Sequence, residues 1–211
     1  MDQRLKREDA EALVAKALMV NSVSEENAVS VARALVAAEV DGQGGHGFAR
    51  VASYAAQARS GKVAGHAKPT AEAAGAAFVR IDAGNGFAFP AIDLAVAKLS
   101  KLAGNTGIAA AAITKSHHCG QLGAHVEALA DRGLLALMVA NTPKAMAPWG
   151  GNKPLLGPNP IAFAVPPQDA PPIVIDLSLS TVAPGKIMAA SKRGDAVPAG
   201  SALGAGGHAT T

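Results

Sequence analysis

Five short apolar runs constrain this chain more than any other feature: AAFVRID (76–82), GIAAAAI (107–113), LLALMVA (134–140), IAFAV (161–165) and PIVIDLS (172–178). Each is too short for a buried helix and is bounded by turn residues, which reads as a strand. Between the early runs lie stretches of helical period. FPAIDLAVAKLSKLAG carries Pro90 near its first turn and a stripe of Ile92, Ala95, Leu99 and Leu102, and GQLGAHVEALADRG closes at Gly133. AAFVRID alternates as a strand does, and near-continuous apolar strands alternating with helices predict a layered α/β domain.

Ahead of residue 76 the pattern is helical. Leu13, Ala17 and Val20 predict one face of a first helix. Val29, Ala32, Val36 and Val40 predict a second, opening at Ser22 or Ser24 with Glu25 and Glu26 placed to favour its dipole. A glycine-rich loop, DGQGGHGFAR, separates it from a third short helix that ends at Gly61. The resulting division is a helical segment 1–75 with a substrate-orienting loop, an α/β cofactor domain 76–200, and a flexible tail 201–211. VAPGKIMAASKRG (182–194) reads as a further helix with Lys186 at its start, and Trp149 as a packing anchor.

Composition narrows the function. Apolar residues are 49% and charged residues 17%, so the chain buries a core, but aromatics are only 3%. The net charge of +3 is scattered rather than striped, and no aromatic platform interleaves it, which argues against nucleic-acid binding. No apolar run approaches the roughly 18 residues of a membrane span. The single cysteine, Cys119, cannot form an intrachain disulfide, and the expected location is cytoplasmic.

TKSHHCGQLGAH (114–125) concentrates His117, His118, Cys119 and His125 after a strand, where α/β proteins place ligands. A zinc site wants converging ligands, commonly an i, i+4 histidine pair, and none is present, so no metal is expected. Cys119 beside a histidine in extended chain lacks a base aimed at it. A proton-transferring histidine and a hydrogen-bonded loop histidine are equally served by these spacings. In GGHGFAR, His46 is flanked by glycines and Arg50 lies four residues on, an arrangement suited to a carboxylate or to a plain turn. Asp176 could cap a helix or hold a cofactor hydroxyl. DAGNGFAFP lacks the glycine spacing of a dinucleotide fingerprint.

Taken together, AEVDGQGGHGFARVASYAAQARSGKV, SHHCGQLGAHVEALADRGLLALMVANTPKAMAPWGGNKPLLGPNPIAFAVP and PIVIDLSLSTVAPGKIMAASKRGDAVPAG resemble the malate/L-lactate dehydrogenase family of non-Rossmann NAD(P)-dependent oxidoreductases. That family includes ureidoglycolate, sulfolactate and piperideine- or pyrroline-2-carboxylate enzymes. The resemblance implies hydride transfer between NAD or NADP and a small 2-hydroxy or 2-keto acid or a cyclic imino acid. It implies the family's α/β cofactor domain after a helical segment, and a homodimer. The family's S-N-H-x-G segment falls on His118 as acid/base, with His117 where asparagine is usual. Its D-S-H-G-x-x-R segment falls on His46 and Arg50 as substrate-orienting residues, with Gly45 where serine is usual. Thr142, Pro143 and Lys144, with Asp176, Leu177 and Ser178, are the implied cofactor contacts. The family runs on past Thr211 by roughly a third of its length, so the resemblance also implies a truncated chain. The competing expectations are a degenerate relative that binds ligand without turnover, favoured by Gly45, and a zinc hydrolase built on the histidine cluster.

Overall fold

Alanine at the contact points lets the first helices approach closely in the computed structural model, which describes residues 4–166, 168–180, 182, 187, 190–191, 194–198, 200–203 and 208–210. Helix α1 (Arg7–Met19) buries Ala10, Val14, Ala15 and Leu18, and α2 (Glu25–Val40) buries Ala28, Val31, Ala32, Leu35 and Val36. Ala32 and Val36 thus face the core as expected, while the rest of the expected stripes is corrected. Leu13, Val20, Val29 and Val40 are exposed, because alanine rather than the larger residues occupies much of the inward face. A 3-10 turn, Phe48–Arg50, leads into α3 (Val51–Arg59), whose Tyr54 and Ala58 join the same core with Phe87 and Phe89.

The first sheet begins at β1 (Thr70–Ala73), within the stretch expected to be helical, and continues with β2 (Phe78–Asp82) and β3 (Ala110–Thr114) in the order β1-β2-β3. β1 runs antiparallel to β2, while β2 and β3 are parallel. The crossover between them is α4 (Ala88–Thr106), whose Ala91 and Ala95 pack on Val79 and Ile81. Gly107, at φ +76°, ends the helix in the left-handed conformation that a side chain would resist.

The second sheet is antiparallel: β4 (Ala136–Val139), β5 (Ile161–Val165) and β6 (Ile173–Leu177), with β5 central. Helix α5 (Gly123–Ala130) covers one face, packing Leu122, Val126 and Ala130 against Ala136, Ala162 and Ala164. The opposite face carries the cross-strand rows Leu137–Phe163–Ile175 and Val139–Ile161–Leu177. On it Leu137 is 66% exposed and Val139 67%. Apolar runs on both strand faces predict two covered faces, and the described residues cover one. Trp149 is fully exposed rather than an anchor. The helix expected at 182–194, with Lys186, falls mostly outside the described residues. Within the tail, β7 (Ala202–Leu203) pairs antiparallel with β8 (Ala209–Thr210).

Candidate active site

The glycine-rich loop after α2 folds around one carboxylate. Phe48 N donates to Glu39 Oε2 at 2.9 Å. Gly44 and Gly47 lie against the same side chain, and a β-carbon on Gly47 would collide with it. Arg50 Nε donates back to the Gly45 carbonyl at 2.7 Å. These bonds deliver His46 and Arg50 together at the entry to α3.

The second loop leaves the end of β3. His117 N donates to the Gly86 carbonyl at 3.0 Å, and Asn85 N to the Lys115 carbonyl at 2.8 Å, which ties this loop to the turn before α4. Gly120, at φ +69°, sits close to the Phe89 ring. The turn brings His118 against His46: their rings are parallel, with centroids 5.4 Å apart and 4° between planes. Behind them, Tyr54 OH lies 2.6 Å from His118 Nδ1. His117 Nε2 donates to Gln57 Oε1 at 3.1 Å and meets the Tyr54 ring edge-on.

Burial is the first cause of every histidine shift in the cluster. It pulls His118 down to about 3, with Arg50, His46 and His117 adding to the effect. His46 is lowered by burial and by Arg50, against an opposing pull from Asp176. His117 is lowered by burial, then by Lys62 and Arg50. All three therefore present neutral imidazoles beside the Arg50 cation. Burial pushes the Cys119 thiol up, away from the thiolate a nucleophile needs. His125 donates from Nε2 to the Cys119 carbonyl at 2.8 Å, a bond that braces the loop. Among the described residues no cluster of three or more His, Cys, Asp or Glu side chains is arranged to hold a metal.

The segments named for the cofactor meet at one end of the second sheet. Val139 pairs with Ile161 and Ile161 with Leu177, so the chain leaving β4 and the chain leaving β6 emerge at the same end of the sheet, on either side of the start of β5. Thr142 is committed to Asn159: its N and Oγ1 both approach Asn159 Oδ1, at 3.0 and 3.2 Å, and Asn159 N donates to its hydroxyl at 3.0 Å. Pro143 and Lys144 follow in exposed positions. Asp176 Oδ2 accepts from Gly123 N at 2.7 Å, anchoring β6 to the start of α5 and to the loop that carries His118. Ser178 Oγ lies 2.6 Å from Ser180 Oγ. An exposed cation, a carboxylate with one oxygen uncommitted among the described residues and a serine pair suit the phosphates and ribose hydroxyls of a dinucleotide. The donor set fits.

The structure thus brings His46, Arg50 and His118 into one cluster, with Asp176 near enough to act on His46 electrostatically. The sequence reading missed Tyr54, Gln57, Glu39 and Asn159. Tyr54 did leave a signal: it is the chain's only tyrosine and stands four residues after Arg50, one helical turn on.

A sequence model of the malate/L-lactate dehydrogenase family matches residues 5–211. The (2R)-3-sulfolactate dehydrogenase (NADP(+)) of Chromohalobacter salexigens is 49% identical over 211 residues, covering 100% of this chain and 63% of that enzyme. The Δ1-pyrroline-2-carboxylate/Δ1-piperideine-2-carboxylate reductase of Pseudomonas syringae pv. tomato is 40% identical over 188 residues, covering 89% of this chain and 55% of that one. The crystal structure of Δ1-piperideine-2-carboxylate reductase from the same organism superposes with a TM-score of 0.95 at 38% identity, covering 99% of this chain and 63% of that chain. The chain therefore spans less than two thirds of the length of these relatives.

Proposed function

The chain belongs to the malate/L-lactate dehydrogenase family, and from that premise we propose that it binds NAD or NADP and takes part in hydride transfer to or from a small 2-keto or 2-hydroxy acid or a cyclic imino acid. The observation that carries the reading is the convergence of Arg50, His46 and His118 from two loops onto one buried-edge cluster. The named substrates of the relatives all carry a carboxylate beside the reacting carbon, and Arg50 offers a guanidinium fork suited to it. Asp176 and Lys144, with Leu177 and Ser178 beside them, would hold the dinucleotide, while Thr142 and Pro143 set the shape of the loop. When bound, the nicotinamide supplies or accepts the hydride.

Within this reading His46 orients the substrate and His118 holds the proton at the reacting oxygen or nitrogen. Arg50 lowers the proton affinity of all three histidines. A carboxylate paired with Arg50 offsets that influence, so arrival of substrate raises the proton affinity of the cluster at the moment it is needed. A second reading, a relative that binds ligand without turnover, draws on Gly45, where the family's serine hydroxyl is absent. A side chain built at Gly45 meets nothing within 4 Å, so the site has room for that hydroxyl.

Titration of the purified chain with NADH and NADPH, read by fluorescence, is the test. The expected result is saturable binding of at least one, followed by turnover of a 2-keto acid or cyclic imine. His118→Ala is expected to lower kcat by about 10²–10³-fold, and Arg50→Ala to raise KM with a smaller change in kcat. Binding without turnover of any such acid would favour the second reading. Equal turnover by His118→Ala and the parent would remove His118 from the chemistry.

Homodimeric assembly and a cytoplasmic location belong to the same proposal. The apolar rows on the open face of the second sheet support self-association, and a lone cysteine, Cys119, supports a reducing compartment. Among the described residues no helix is long and apolar enough to cross a membrane.

A further inference from the structure

We infer that Tyr54 is a positioning residue: its hydroxyl donates to His118 Nδ1 and holds that imidazole in the tautomer that carries its proton on Nε2. The inference rests on the reading of His118 as the residue that works at the reacting atom, and it identifies what sets the state of that residue.

The protonation pattern follows from donors and acceptors. A backbone amide can only donate, and Gly120 N lies 3.3 Å from His118 Nδ1. Nδ1 is therefore the bare nitrogen, its one lone pair accepting this longer contact beside the shorter one from Tyr54. Tyr54 OH, 2.6 Å from the same nitrogen, must then be the donor in the shorter and stronger bond. A neutral imidazole with Nδ1 bare has its proton on Nε2. That nitrogen makes no hydrogen bond among the described residues, and it is not one of the buried atoms left without a partner. The ring thus offers an N–H from Nε2 on the side away from Tyr54.

The tyrosine is built for the task. It is 1% exposed, and its hydroxyl has no partner other than His118 among the described residues. The His117 ring stands edge-on to it at 4.9 Å, with Phe87 at 5.6 Å and Phe89 at 6.4 Å, so the phenol cannot swing away. Burial raises the phenol's pKa, which keeps it an O–H donor through the physiological range. Flipping the His118 ring would break the bonds from both Tyr54 and Gly120 and turn the Cδ2–H carbon toward them. A phenylalanine would fill the same space and leave Nδ1 only the longer contact from Gly120 N at 3.3 Å. The other ionisable groups that face His118 are Arg50, His46 and His117, and none of them donates to Nδ1.

The test is the tautomer itself, read on the 15N-labelled chain by two-bond 1H–15N correlation, with the His118 signals assigned through their loss in His118→Gln. The parent is expected to show the proton on Nε2 and no titration of this ring between about pH 5 and 8. In Tyr54→Phe the Nε2–H form is expected to lose its dominance and the ring to titrate at higher pH. With substrate and cofactor, kcat is expected to fall roughly tenfold with KM little changed. Because Tyr54 is the chain's only tyrosine, global replacement by difluorotyrosine alters this residue alone. It makes the phenol a stronger acid at nearly the same shape, so a donor role shifts the His118 Nδ1 resonance and a purely structural role does not. This second variant decides the matter if Tyr54→Phe does not fold. A proton found on Nδ1 in the parent, or an Nδ1 resonance indifferent to fluorination, overturns the inference. An Nε2-protonated His118 in a chain that turns over no acid or imine overturns the enzymatic reading and supports the tautomer.

Discussion

A β-carbon on Gly47 would run into the Glu39 carboxylate that receives the Phe48 amide. Gly47→Ala is therefore expected to push the loop off Glu39 and misplace His46 and Arg50, raising KM several-fold at a stability cost on the order of 1–3 kcal/mol. Comparing KM with the urea midpoint checks whether the two move together. His118 makes a second residue-scale prediction. Its folded pKa is about 3, below the unfolded value of about 6.5. Below pH 6.5 the unfolded chain takes up a proton that the folded chain refuses, so stability is full above that pH and falls as pH drops toward 3. One such group costs about 2 kcal/mol between pH 6.5 and pH 5. The lowered pKa values of His46, His117 and His125 act in the same direction. Urea midpoints measured across this range should decline steeply, and less so in His118→Gln. A flat profile would mean that the cluster is not buried as described.

At the scale of the elements, α2 depends on Asn27, which is 5% exposed and donates from Nδ2 to the carbonyls of Gly65 and Ala67, each at 2.9 Å. Asn27→Ala takes its donor from the Ala67 carbonyl and leaves the Gly65 carbonyl to Ser24, and a loss of about 1–3 kcal/mol is expected from thermal or urea unfolding. The elements were also unevenly legible in the sequence. β2, β5 and β6 were plain from their apolar runs, and α4 from its long stripe. The inward faces of α1 and α2 were only partly legible: Ala32 and Val36 sit inside as expected, but so do Ala10 and Ala28, while Leu13, Val29 and Val40 sit outside. In an alanine-rich helix, side-chain size no longer marks the buried side. β1 escaped because TAEA is exposed at every position and owes its strand form to its pairing with β2. Of the site, His46, Arg50 and His118 were legible through motif resemblance. Their contact was not, since it joins loops on either side of the first sheet. The commitment of Thr142 to Asn159 was hidden for the same reason, a partner far along the chain.

For the molecule as a whole, the open face of the second sheet governs behaviour in solution. Leu137, Val139, Ile173, Ile175 and Leu177 on the two outer strands flank Ile161 and Phe163 on β5 in one apolar surface, more than an isolated soluble domain usually leaves uncovered. The chain is expected to self-associate with rising concentration and to bind hydrophobic dyes. Leu137→Lys with Ile175→Glu should reduce both, read by sedimentation and dye fluorescence. Stability should change by no more than about 1 kcal/mol, because both side chains are already half or more in water. A substitution on the covered face, at Ala164, should instead unfold the layer. The wiring of the site also sets a timetable for folding. The bonds Gln57–His117, Tyr54–His118 and Asp41–Gln121 span 60, 64 and 80 positions. Local helices form without paying for such long closures, whereas these contacts wait for the helical layer to dock on the strands. After dilution from denaturant, helical signal should return first and the Tyr54–His118 contact, read from the His118 ring resonances, last, so that contact serves as the chain's own report that folding is complete.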